Sequence, residues 1–391
     1  MPGFASNDQI IAALAAGQTY RANFSKNFNP TAAAVANEWH TLFRGAGNPA
    51  ADAIFNAGTA LTFQAVKDNT ASAGALQHGG NMQPSYYKYL LSGAAVSAAA
   101  TVVPGTLALV DVIGFYRVTA VTTATAQATT NTLGQSDTFT ADASTDIITF
   151  TSTANFPSNL LTGTRMRLTT TTTLPAGLAT ATDYYYIRVS DSTGKLATSY
   201  TNAVAGTAIN ITDAGTGTHT ATWLLPRYTN GAGVNAIIFN SNATALGAAT
   251  PNMSLSAYTN QAQVGSRATP TVLPIGKTGA TNSHIIYTGA TGTGKYNYMM
   301  PLQAGDSGIA QVDSIQNSVS YVSGEYSVAL IKELAQIPLS TLGLAAEQNF
   351  LFGLPSMPRI YDGAALYFLW GSGVATPASS AFSGYMNFIW N

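Results

Sequence analysis

The spacing of hydrophobic and polar positions changes near residue 100 of the chain. Before that point apolar residues recur at three- and four-residue intervals in alanine-rich stretches, which is typical of short helices. Beyond it, apolar residues alternate with polar ones or form short β-branched runs that Gly, Asn, Asp and Pro interrupt. The pattern predicts a short helical N-terminal segment followed by a chain made mainly of strands.

The first helix is predicted over residues 8–16. Ser6 or Asn7 can serve as its N-cap, because a short polar side chain accepts a hydrogen bond from a free backbone N–H of the first turn. Gly17 ends it, since glycine readily adopts the left-handed conformation that follows a helix.

Two more helices are predicted before residue 60. One begins at Pro30, where proline suits the first helical position, and continues through Phe43 to Gly45. The other covers residues 48–55. All three helices are alanine-rich with few charges, so we expect them to pack on another surface as a helical N-terminal arm over residues 1–90.

The remainder predicts a mainly β fold with a β-sandwich or jelly-roll-like body, because many short strands separated by turns are typical of all-β architectures. Strands are expected at 106–110, 115–121, 147–150, 318–322, 326–330, 365–370 and 385–390. The uncharged stretch from Leu90 to Val110 is rich in Ala, Ser, Thr and Gly and contains Pro104. It predicts two buried strands, or a short helix and a strand, rather than a membrane-spanning helix.

A separate β block interrupts this body. A Thr-rich segment leads into it, and residues 134–223 carry their own strands and turns, enough for a small domain. We therefore predict an inserted β domain at 134–223, with the body formed by 91–133 and 224–391. Strands within the block are expected at 137–141, 146–152, 165–171, 184–190, 195–198 and 207–213.

Segments of this block resemble a module that recurs in tailed-phage virion proteins. They are 137–142 (DTFTAD), 174–179 (LPAGLA), 183–187 (DYYYI), 195–198 (KLAT) and 211–219 (ITDAGTGTH). The body segments 225–231, 301–308 and 354–364 are also similar to phage virion proteins. In that family the module is an appended β domain without enzymatic activity, so the resemblance implies a place in the virion and leaves the position within it open.

Composition favours a permanent assembly over a free enzyme. Only 8% of residues are charged, against roughly 25% in an average soluble domain, and 46% are hydrophobic. Charge keeps free monomers soluble, so a chain this neutral is expected to cover much of its surface with partners. The net charge of −1 provides no basic face for nucleic acid. The absence of cysteine excludes disulfides, thiolate metal ligands and cysteine nucleophiles.

Candidate chemistry is sparse. Residues Gly289–Lys295 fit the spacing of a phosphate-binding loop, but Tyr296 stands where Ser or Thr would bind Mg²⁺ and no helical pattern follows. A glycine-rich hairpin or bulge loop is the preferred interpretation. The four histidines are His40, His78, His219 and His284. Their spacing is not that of metal ligands.

Carboxylates and aromatic residues point to no enzyme either. The acidic residues of the last third are Asp306, Asp313, Glu325, Glu333, Glu347 and Asp362. Glycoside hydrolysis needs two converging carboxylates, whereas Asp306 and Asp362 lie in sequences typical of turns, where Asp bonds its own backbone. The numerous tyrosines and phenylalanines fit cores and interfaces better than a carbohydrate platform. We predict that the protein is not an enzyme, expect no cofactor, and name no catalytic, cofactor-binding or metal-ligating residue.

The function expected from these observations is that of a capsid decoration, or cement, protein that stabilises the head shell of a tailed phage. It would be made in the host cytoplasm and lie on the virion head as a homo-oligomer, a trimer by preference, bound to the major capsid protein. No nucleic acid or membrane partner is expected. The N-terminal arm would anchor it, and the inserted domain would project outward. The alternatives are the major capsid protein, a tail or fibre component, and a carbohydrate-binding or carbohydrate-degrading module, and weak glycan binding by the inserted domain stays open.

Overall fold

The computed structural model describes most of the chain. The described residues are 4–28, 39–52, 54–68, 74–80, 86–97, 105–119, 125–151, 159–241, 252–269, 273–274, 298–320, 324–353, 357–373 and 380–391. Within them the fold is mainly β, with few helices, which confirms the predicted fold class.

The helices are α1 (Asn7–Ala15), α2 (Tyr200–Ala205) and α3 (Phe350–Gly353), with one 3₁₀ turn at Ile54–Asn56. The strands before the barrel described below are β1 (Thr19–Phe28), β2 (Trp39–Thr41), β3 (Gly47–Asn48), β4 (Phe63–Ala65), β5 (Lys88–Ser97), β6 (Gly105–Thr119) and β7 (Gln127–Ala128). The barrel strands are β8 (Gln135–Asp142), β9 (Ile147–Phe150), β10 (Arg165–Thr170), β11 (Asp183–Arg188), β12 (Thr193–Ala197) and β13 (His219–Trp223). The strands after it are β14 (Asn235–Asn240), β15 (Asn252–Asn260), β16 (Leu273–Pro274), β17 (Ile309–Asn317), β18 (Glu325–Leu339), β19 (Ala346–Asn349), β20 (Arg359–Ile360), β21 (Leu366–Ser372) and β22 (Ser380–Trp390).

Three sheets form the body. The first has the order β19-β5-β22-β1-β3, with β20 paired to β5. The second has the order β14-β18-β6-β21-β2, with β4 paired to β6, and the third has the order β16-β15-β17-β7. We use "body" below for these three sheets and the helices and loops attached to them.

The second sheet lies at the centre because its two longest strands serve both neighbours. Near Leu107 and Ile337, β6 and β18 pack in one core with the first sheet. Near Val118 and Val328 they pack in another core with the third sheet. Alternate residues such as Val110 face a third core on the opposite side. Burial on both faces explains why β6 is almost continuously hydrophobic rather than alternating.

Helix α1 confirms the first predicted helix. The Ser6 hydroxyl accepts a hydrogen bond from the backbone N–H of Gln9 at 3.4 Å, so Ser6 is the N-cap. Ile10 and Ala13 are buried against Ile389 of β22. The helix thereby packs on strand β22, which lies between β5 and β1 in the first sheet.

The second and third predicted helices are wrong within the described residues. Trp39–Thr41 is strand β2, paired with β21, and the described part of 48–55 contains the last residue of β3 and the start of a 3₁₀ turn. Trp39 and Phe43 both enter the aromatic core behind the second sheet, where Phe43 stacks on Phe55 at 4.8 Å between ring centroids. Burial of these rings outweighs a weak helical preference.

Strand β1 was not predicted, although it pairs with β22 over its whole length. It lies, like β2 to β4 and the first residues of β5, in the segment expected to be a helical arm. The only long helix described in that segment is α1. The region from Leu90 to Val110 contains β5 and the start of β6, which agrees with two buried strands; residues 98–104 are outside the described part. No helix among the described residues is long and apolar enough to cross a membrane.

Strands β8 to β13 close into a six-stranded barrel in the order β10-β11-β12-β9-β8-β13. Its first residue, Gln135, is paired with its last, Trp223, so the chain enters and leaves the barrel on adjacent strands. The strand predicted at 207–213 is wrong. Ile209 and Ile211 do pack on the barrel core as the alternation indicates, but the backbone there forms no ladder.

Candidate functional site

The histidines singled out in the sequence lie apart in different environments. His40 and His78 are buried in the body, and His219 is buried in the barrel. His219 Nδ1 contacts the Thr170 hydroxyl at 2.9 Å and its Nε2 contacts the Ala214 carbonyl at 3.1 Å, which ties a loop to β10. His284 lies outside the described residues, as does Gly289–Lys295. Across the described ranges no cluster of three or more His, Asp and Glu side chains could hold a metal ion.

The carboxylates of the last third bind separate partners. Asp306 accepts hydrogen bonds from the Tyr258 hydroxyl at 2.5 Å and from Arg267 at 2.9 Å. Glu325 accepts two from Arg117, at 2.9 and 2.7 Å. Each of these carboxylates is held by a neighbouring strand or loop, and both contacts are structural.

A fully buried ion pair joins strand β6 to the segment that follows the barrel. The guanidinium of Arg227 donates to both carboxylate oxygens of Asp111, at 2.8 and 2.7 Å, and both side chains are 0% exposed. Arg227 also donates to the carbonyls of Val66 at 3.0 Å and Val112 at 2.9 Å. The backbone N–H of Ala365 donates to Asp111 at 3.0 Å. The pair therefore has the additional hydrogen bonds that a buried charge requires.

A second buried polar cluster surrounds Lys88 at the start of β5. The Lys88 ammonium lies 3.0 Å from His78 Nδ1 and donates to the carbonyls of His78 at 2.7 Å and of Gly80. His78 Nε2 lies 3.5 Å from Asp68. Lys88 thus holds the turn at residues 78–80 against the first sheet.

The electrostatics of this cluster follow from burial. Desolvation and the neighbouring Lys88 lower the pKa of His78 to about 3, so His78 is neutral and its Nδ1 accepts the hydrogen bond. Desolvation also lowers the pKa of Lys88 to about 8, although Asp362 and Asp68 oppose it. Burial raises the pKa of Asp68.

Lys88 also reaches a small cleft where the barrel meets the body, which we call the junction cleft. It is lined by Tyr86, Tyr87, Lys88, Asn159, Arg359, Ile360 and Asp362. The Arg359 guanidinium lies between two aromatic faces, 3.9 Å from the centroid of Tyr87 and 4.2 Å from that of Tyr361. Contact with two rings fixes the guanidinium plane.

The barrel side closes the junction cleft through hydrogen bonds. The side-chain amide of Asn159 donates to the backbone carbonyl of Asp362 at 3.2 Å. The Tyr87 hydroxyl donates to Asp191, which also pairs with Arg188. The cleft is thus assembled from residues at β5, at β20 and in the barrel region, and its lining offers hydrogen-bonding groups.

No protein-family model matches the chain, and a comparison with curated proteins finds no similar sequence. The junction cleft was not anticipated from the sequence, which named no site residue. The only local signal is the segment 358–363 (PRIYDG), where an arginine and a tyrosine two positions apart can share one face of an extended chain.

Proposed function

We propose that the chain is a non-enzymatic structural protein of a tailed-phage virion, and specifically a decoration protein that stabilises the head shell. One observation carries the proposal, namely the small number of charged side chains available for the surface. The accessible surface is 15075 Å², close to the ~14,500 Å² expected for a compact monomer of this mass. The whole chain contains only 16 basic and 17 acidic residues, so few charged side chains are available to cover that surface.

Burial removes several of these charges from the surface. The buried ones are Lys26, Asp52, Lys88, Asp111, Asp137 and Arg227. The remaining surface is dominated by neutral polar and small side chains. Such a surface is poorly suited to a concentrated free monomer and well suited to burial against other subunits.

The resemblance of the barrel segments and of three body segments to phage virion proteins supports the same proposal. In this proposal helix α1 takes the anchoring role that was expected of the whole N-terminal arm. Its Ile11 and Leu14 are 62% and 47% exposed, an apolar pair available for contact with the shell. In this proposal the body forms a trimer on the major capsid protein at the head surface, and the barrel faces outward.

The copy number of this chain in purified particles, by quantitative mass spectrometry, tests the proposal. A copy number comparable to that of a separate, abundant shell protein is the expected result. Equal abundance without any other shell protein would instead make the chain the major capsid protein. A small minority of copies would move it to the tail or fibres.

A further inference from the structure

Residues 227–233, which we call the connecting segment, begin at the buried ion pair of the body and contact a loop of the barrel. The hydroxyl of Thr229 accepts a hydrogen bond from the backbone N–H of Leu161 at 3.0 Å. The side-chain amide of Asn230 donates to the carbonyl of Thr162 at 3.1 Å. These two hydrogen bonds are part of the polar contact that holds the barrel against the body.

The connecting segment contains the one Asn-Gly pair of the sequence, Asn230–Gly231. Asparagine is a thermolabile residue, and glycine leaves the next backbone nitrogen unhindered because it has no Cβ. The fold itself requires this glycine. Its φ is +82°, and a Cβ added to it would lie 2.5 Å from the backbone nitrogen of Ala310. The turn therefore carries a reactive pair that the chain cannot remove by a simple substitution of the glycine.

The reaction open to this pair needs only water. The backbone nitrogen of Gly231 loses its proton and forms a bond to Cγ of Asn230. The bond between Cγ and Nδ2 breaks, ammonia leaves, and a five-membered cyclic imide results. One water molecule then opens the imide at either carbonyl, which leaves an aspartate or a β-aspartate at position 230. The balance is one water consumed and one ammonia released.

The native contacts restrain both reacting groups. The N–H of Gly231 donates to the carbonyl of Tyr228 at 2.6 Å, so the attacking nitrogen is engaged. The amide of Asn230 is held at both ends, because Nδ2 donates to Thr162 and Oδ1 accepts from the N–H of Ala232 at 3.1 Å. Attack on Cγ requires these bonds to open, and the bond to Thr162 opens when the barrel moves away.

The product cannot restore the barrel contact. A carboxylate at position 230 has no N–H for the Thr162 carbonyl and places a charged acceptor against another acceptor. We propose that Asn230 is a self-modification site of this protein. Opening of the contact between the barrel and the connecting segment permits deamidation, and the aspartate formed keeps that contact open. The site would record each release of the barrel as a permanent change.

This site does not depend on the decoration role. A chain found in the tail would keep the same pair and the same contacts, and a decoration protein could retain an unmodified Asn230. Copy number and deamidation therefore fail independently.

The test follows deamidation of the full chain at mildly alkaline pH by peptide mass spectrometry, in water enriched in heavy oxygen. A synthetic peptide of residues 226–234 gives the rate of the unrestrained pair. Asn230 in the chain should react at least about tenfold more slowly than in the peptide, because only the open fraction reacts.

A matched pair of variants tests the link to the barrel. Thr229→Val removes the hydroxyl that binds the Leu161 N–H and should speed deamidation of Asn230 about fivefold, the effect of one lost hydrogen bond on the open population. Thr145→Val is the control. It removes an exposed barrel hydroxyl that donates to Asp142 at 3.0 Å and should leave the rate unchanged.

Three outcomes of these measurements overturn the proposal. They are a rate in the full chain equal to that of the peptide, a Thr229→Val variant that reacts no faster than wild type, and an equal increase in both variants.

The effect of the product is measured with Asn230→Asp by amide hydrogen exchange. The Leu161 N–H should exchange about fivefold faster than in wild type, with the protection of the barrel core unchanged. Unchanged protection at Leu161 would show that the product does not keep the contact open, and would overturn the proposal.

Discussion

The barrel and the body are stabilised in different ways. The barrel core is drawn only from residues between Phe139 and Trp223. The body instead shares its long central strands among three cores and contains the fully buried Asp111–Arg227 ion pair. Its counterpart in the barrel, Arg167–Asp183, lies at the surface.

The contacts that join the two regions are polar. Thr164 of the barrel contacts Thr229 of the body, the amide of Asn230 donates to the Thr162 carbonyl at 3.1 Å, and Tyr87 binds Asp191. None of the described hydrophobic clusters contains residues of both regions. The comparison indicates that hydrogen bonds hold the barrel on the body. It also indicates that the barrel folds around its own hydrophobic core.

Among the variants that test this difference between the body and the barrel, Asp111→Ala is expected to change the unfolding free energy most. The substitution leaves the Arg227 guanidinium buried without its carboxylate, which costs about 3–5 kcal/mol of unfolding free energy. Urea unfolding should show the loss in the transition of the body, with the barrel transition unchanged. Arg167→Ala is the control, because a solvent-exposed pair contributes only about 0–1 kcal/mol. Equal losses in the two variants would contradict the distinction between the pairs.

The unfolding free energy of the body should also depend more strongly on acid pH than that of the barrel. His78 has a folded pKa of about 3 against 6.5 for the free side chain, so the unfolded chain binds more protons between these values. Stability therefore falls as the pH falls below 6.5, by about 3 kcal/mol at pH 4. His78→Asn keeps an acceptor for Lys88 and should remove this slope. The difference between the two proteins isolates the histidine from Asp68, whose raised pKa has the opposite effect.

Chemical unfolding at several pH values, read separately for each transition, measures this slope. If wild type and His78→Asn lose the same stability between pH 6.5 and pH 4, His78 is not the acid-sensitive group. If the barrel transition moves equally, acid sensitivity does not separate the two regions.

A smaller effect is expected from Tyr87→Phe at the seat of the barrel. The change removes the hydroxyl that donates to Asp191 and keeps the ring that stacks on Arg359. We expect a loss of about 1 kcal/mol. It should appear as faster amide exchange at the junction, near Asn159, with both cores intact. Protection at the junction that matches wild type would show that this contact does not hold the barrel.

The sequence predicts helix α1 and most barrel strands well, because caps, turns and alternation are local signals. The missed strand β1 shows the same alternation, at Tyr20, Ala22, Phe24 and Phe28, but the inward Lys26 interrupts it. In the structure Lys26 is buried, and its ammonium donates hydrogen bonds to three backbone carbonyls. The sequence pattern does not show that a buried lysine can be satisfied in this way.

The junction cleft could not be predicted for a different reason. Tyr86, Asn159 and Arg359 are far apart in the chain. They line one cleft because β20 pairs with β5 and the barrel region packs beside these strands. No local pattern specifies such a meeting. The buried Asp111–Arg227 pair likewise joins two segments that are distant in sequence.

The most direct test of this account is excision of the barrel. Replacing residues 135–223 by a short Gly-Ser linker is geometrically simple, because Gln135 and Trp223 are paired neighbours. Calorimetry and light scattering of the excised chain should show a body that unfolds cooperatively and keeps the subunit number of the full chain, while the isolated barrel also folds. A body that loses cooperative unfolding or changes its subunit number would contradict the division between an assembling body and a separately folded barrel.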